Sequence, residues 1–87
     1  MLDQADPIPD ASQLEVDACL AQLRQWIGSG MARELREAAG LSRLHVANEL
    51  GTWPSTVARW ESGERVPRGR HALEYHALLA RLLQRAA

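Results

Sequence analysis

The sequence has a single cysteine among 87 residues, Cys19, so no internal disulfide can staple the fold. With no Cys/His cluster either, a chain this short must be held by packing, helped by dimerisation. Cys19 reads as a small core residue, not a redox centre. Lysine is absent altogether: all ten bases are arginine. That fits a GC-rich coding sequence, and also a surface that recognises phosphates or bases, because only the guanidinium group forks bidentately. No apolar run approaches the roughly 20 residues of a membrane span. Met1 to Leu23 also lacks the basic start and apolar stretch of a secretory leader, so a cytoplasmic protein without a membrane partner is expected. No period-two alternation occurs, which leaves an all-α fold in one small domain.

Ten bases against eleven acids give a net charge of −1, which on its face argues against a nucleic-acid binder. The distribution argues the other way. Met1 to Leu23 holds five acids and no base, a charge of −5, whereas from Arg24 onward ten bases face six acids, a charge of +4. Residues 1–11 carry Pro7, Pro9 and three aspartates with few large apolar groups, and read as an acidic, disordered arm.

The remainder reads as five helices joined by very short turns. Ser12 opens Ser-Gln-Leu-Glu, the sequence form of a capping box, ahead of an additional N-terminal helix over 12–28. Val16, Cys19, Leu20, Leu23, Trp26 and Ile27 repeat at three and four along its inner stripe. After Gly28-Ser29-Gly30, the segment from Met31 to Ala39 is rich in helix formers, with Gly40 placed for a left-handed cap. Ser42 can cap a helix over about 43–50, which Gly51 closes. Pro54 suits the first turn of the next, over about 54–61, with Val57 and Trp60 inward and Gly63 at its end. A last helix from about Arg68 carries Ala72, Leu73, Tyr75, His76, Leu79, Leu82 and Leu83 as candidate buried positions. Leu78, Leu79, Leu82 and Leu83 are more leucine than one short helix needs, and read as core or dimer contact.

The two short helices around Gly51-Thr52-Trp53 are the most informative stretch. Ala47 is small where two helices must cross closely, and Gly51 allows the positive φ of a tight turn. Such a turn holds the second helix with its N-terminal end projecting, a shape that fits the DNA major groove. Gly40-Leu41-Ser42, Ala47, Leu50-Gly51, Ser55-Thr56-Val57 and Trp60-Glu61-Ser62-Gly63 followed by Pro67 resemble the helix-turn-helix of the lambda/434 repressor, Cro and Xre-like family. The resemblance covers Met31 to about Leu83. It implies a helix-turn-helix DNA-binding domain over 29–87 within a five-helix bundle.

In that family the first residues of the reading helix, and one a turn later, touch base edges. Here those positions are Trp53, Pro54, Ser55 and Arg59. Arg59 can donate two parallel hydrogen bonds to guanine, while Trp53 and Pro54 depart from the family's usual polar residues and suit a thymine methyl or a sugar. A staple that holds the turn is the other reading of Trp53. Ser42, Arg43, Thr56, Ser62, Arg65, Arg68 and Arg70 are the expected contacts to the DNA backbone. Arg36 and Glu61 match positions that form a buried ion pair in relatives, which assigns Arg36 to stability.

His45, His71 and His76 are not spaced as metal ligands, and no nucleophile, base and orienting group cluster, so neither a metal, a cofactor nor an enzyme is expected. The expectation is a sequence-specific transcriptional regulator of double-stranded DNA, acting as a homodimer. The alternative is a protein-interaction module, such as an antitoxin or anti-repressor, that binds a partner through its N-terminal segment.

Overall fold

The computed structural model describes residues 11–86, which form five α-helices and no strand. They are α1 (Ala11–Gly28), α2 (Met31–Ala38), α3 (Arg43–Leu50), α4 (Pro54–Ser62) and α5 (Gly69–Ala86). The expected acidic arm lies outside the described residues, apart from Ala11, which opens α1. Alanine is the best helix former, so the helix takes it in. Ser12 therefore sits inside the first turn and does not cap it. The other ends differ from the sequence reading by about a residue, the ordinary scatter of helix termini.

The core forms where apolar stripes of several helices meet. Leu23 and Trp26 of α1, Ala32 and Leu35 of α2, and Ala72, Tyr75, Leu78, Leu79 and Leu82 of α5 bury together. Helices α1, α2 and α5 pack on one another, and the α3–α4 pair docks against this body. Burying a side chain the size of Leu23 or Leu79 stabilises by about 1.5–3 kcal/mol, so a few such contacts outweigh the weak propensity of each short helix. The first turns of α1 are exposed, and its stripe becomes part of the core only from its second half. Leu73, read as buried, is 38% exposed. It follows Ala72 by one residue, and a 100° step takes it off the stripe that Ala72, Tyr75 and Leu79 form.

Rings tie α5 to its neighbours. His76 stacks on Trp26 with centroids 5.0 Å apart and planes inclined by 8°, and its Nε2 lies 2.7 Å from the Gln22 side-chain oxygen. Burial pushes its imidazole below the ordinary histidine range. Tyr75 packs on Trp60 at 5.1 Å, and its hydroxyl has no hydrogen-bond partner among the described residues. Burial, with the Glu61 charge adding and Arg36 opposing, drives that phenol far above its usual range.

Candidate nucleic-acid interface

Two backbone devices set the angle between α3 and α4. Ser42 caps α3, its Oγ accepting from the His45 amide at 3.0 Å. Gly51 then closes α3 at φ 68°, and the Thr52 amide donates back to the Ala47 carbonyl at 2.9 Å. A side chain would meet no neighbour at Gly51, so the glycine is there for its left-handed backbone. Three residues later Pro54 starts α4 in the position where its missing amide proton is not needed. Ala47 and Val57, both fully buried, let the two helices approach closely.

This geometry turns Val57, Trp60 and Glu61 inward and leaves Trp53, Ser55 and Arg59 on the exposed surface. Ser55 and Arg59 stand four residues apart and so share a face. Trp53 is 74% exposed, which overturns its reading as a staple of the turn. Its backbone does local service instead, the carbonyl accepting from the amides of Thr56 and Val57. Pro54 and Thr56 are half-buried beside it.

The polar residues expected to meet DNA differ in what already engages them. Arg65 and Arg68 are exposed and make no ion pair among the described residues. Arg59 lies 3.8 Å from Glu64, and Arg70 lies 3.2 Å from Glu74 one turn along α5. Both pairs are solvated, so these acids restrain the arginines weakly. Ser42 accepts through its Oγ, and its own hydroxyl proton is not used among the described residues. That of Ser62 is used: its hydroxyl donates to the Arg59 carbonyl and accepts from the Glu64 amide, so it closes α4 and has no proton left to offer.

Arg36 and Glu61 form the ion pair that the resemblance implies. Arg36 grips the Glu61 carboxylate through Nε and Nη2, and its Nη1 donates to the Leu41 carbonyl at 2.9 Å. The hydrogen bond to Glu61 raises the Arg36 pKa despite its burial. Sequence reasoning missed a second arginine on that carboxylate. Arg43 donates from Nε to Glu61 Oε1 at 3.0 Å, a contact between residues 18 apart that no local spacing reveals. Leu44 is exposed beside Arg43, and Arg24 lines a shallow groove with Val66, Pro67 and Arg68. The three histidines do not converge: His45 is exposed on α3, His71 leans on Trp60, and His76 stacks on Trp26.

A tight helical pair whose second helix shows its N-terminal end, with arginines standing around it, defines a nucleic-acid-binding protein of the helix-turn-helix class. Residues 31–86 match the family model of a helix-turn-helix domain, and the chain belongs to that family. The match leaves α1 outside it. Searches of curated proteins and of solved structures found no match. Among the described residues no helix is long and apolar enough to cross a membrane.

Proposed function

We propose that the chain is a cytoplasmic, non-catalytic transcriptional regulator that reads double-stranded DNA in the major groove through α4 and binds as a homodimer. The observation that carries this reading is the exposed edge of α4, where Trp53, Ser55 and Arg59 face solvent while Val57 and Trp60 anchor the same helix in the core. Base contacts come from Trp53, Pro54, Ser55 and Arg59, with Trp53 and Pro54 supplying apolar surface to a thymine methyl or a sugar. Backbone contacts come from Ser42, Arg43, Thr56, Arg65, Arg68 and Arg70. Selection of bound sequences from a random duplex pool tests all of this together. The expected result is a palindromic consensus with half-sites about one duplex turn, roughly 34 Å, apart. A pool that fails to enrich any sequence refutes sequence-specific reading.

One observation favours a second role. The first turns of α1 lie outside the family match and are exposed, including Leu14. They suit a protein partner, as in an antitoxin or anti-repressor. Retention on heparin or random DNA separates the two: binding that weakens steeply as salt rises supports the DNA reading, because arginines displace condensed counterions. Flat salt dependence or no retention supports the protein-interaction reading.

A further inference from the structure

The Glu61 carboxylate carries one negative charge, and Arg36 already neutralises it. The side chain of Glu61 is 2% exposed and that of Arg36 9%, so this pair is sealed in the interior. Arg43 reaches the same carboxylate from α3, yet its side chain is 40% exposed. A second arginine there meets like-charge repulsion from the first, and leaves the cluster with a net positive charge located on the exposed member. Arg43 is held only through Nε, and its two Nη groups have no partner among the described residues. A guanidinium fixed at one edge keeps planar donors free for an oxyanion on another edge.

We propose that Glu61 is a positioning residue for DNA binding: by holding Nε of Arg43 it aims the free Nη groups at a backbone phosphate, although Glu61 itself never touches DNA. This rests on the reading of the chain as a DNA binder. A solvated arginine must give up rotamer freedom when it meets a phosphate, whereas folding has already ordered this one. Lysine in its place has a single ammonium, which cannot present the same fork to a phosphate while bonding Glu61.

The test measures binding to a random-sequence 20-base-pair duplex across a salt series for wild type, Arg43→Ala, Arg43→Lys, Glu61→Gln and the Arg43→Lys/Glu61→Gln pair. Arg43→Ala should lower the salt slope by about 1. Arg43→Lys should keep the wild-type slope but lose affinity by about tenfold to a hundredfold, the scale of a charged hydrogen bond. Glu61→Gln is the sharper arm. It removes a negative charge, so overall electrostatics alone would tighten binding, whereas loss of positioning weakens it by a similar factor. The double variant should bind no worse than Arg43→Lys. Arg43→Lys binding like wild type, Glu61→Gln binding more tightly, or losses that multiply in the double variant would each overturn the proposal. Should Glu61→Gln not fold, the comparison of Arg43→Lys with wild type decides, together with the Arg43 Nε–H resonance by NMR. A resonance protected in the free protein and unmoved by duplex supports pre-positioning, and one protected only in the complex refutes it. Wild type that ignores random duplex even at low salt overturns the DNA reading itself, a result distinct from all the others.

Discussion

Arg36 and Arg43 both hold Glu61, but on different terms. Arg36 is bonded three times within the protein and is almost wholly buried, so its role is cohesion between α2, α4 and the turn at Leu41. Removing it leaves a buried carboxylate with only Arg43 for company. Arg36→Ala should therefore cost about 3 kcal/mol, the low end for breaking a buried pair because one arginine remains. Thermal unfolding checks this, and an unchanged melting temperature with DNA binding lost would move Arg36 from structure to contact. Arg59 carries the opposite expectation. Its one acidic partner among the described residues, Glu64, is 3.8 Å away and solvated, so it is free to turn toward a base. Arg59→Ala should cost about 1–3 kcal/mol at the selected site and relax one base position, leaving thermal stability nearly unchanged. A selected consensus that stays the same means that another residue reads the groove. At this scale the sequence showed which residue types were present but not how they were shared. A carboxylate bonded by two arginines, or a serine whose proton is already committed to its own helix, depends on tertiary distances that no spacing encodes.

At the scale of elements, what the sequence made legible was periodicity and punctuation. Pro54, Gly51 and Gly40 act locally, and the helices they bound lie where those residues place them to within about one position. Leu73 was misread because apolar content alone does not say which way a helix is turned, and the start of α1 because Ala11 carries the helix past Ser12. Gly51→Ala tests the punctuation directly. A left-handed residue with a side chain costs about 1–2 kcal/mol, and relief of that strain would open the angle between α3 and α4. Both the melting temperature and duplex affinity should fall, and a variant that loses neither contradicts the role given to this turn. The seam between α1 and α5 depends on pH. Folding favours neutral His76, so the full stabilisation is present above about pH 6.5, the unfolded value, and is lost as pH falls through that value toward the lower folded one. Stacking on Trp26 returns some of this by attracting the imidazolium, so the loss is modest. Between about pH 7.5 and pH 5.5 the melting temperature of wild type should drop more than that of His76→Phe. Equal drops would show that His76 is not the source of the effect.

Across the whole molecule, charge is divided along the chain. A sum near zero hides an acidic N-terminal stretch and an arginine-rich domain, and only the second lies within the helix-turn-helix match. If the acidic residues compete with DNA for the arginines, deleting residues 1–10 should raise affinity for random duplex more than for the selected site. Filter-binding titrations of the two duplexes measure the difference, and equal affinities before and after deletion rule out such competition.

The burial pattern of the tryptophans has an optical consequence. Trp26 and Trp60 lie in the core while Trp53 stands in water at the head of α4. The chain therefore emits from two populations, a blue-shifted pair closed to acrylamide and a red-shifted ring open to it. Unfolding disturbs the first, whereas contact at the α3–α4 turn disturbs the second alone. Quenching by acrylamide thus separates occupancy of this surface from the integrity of the fold in one unlabelled sample.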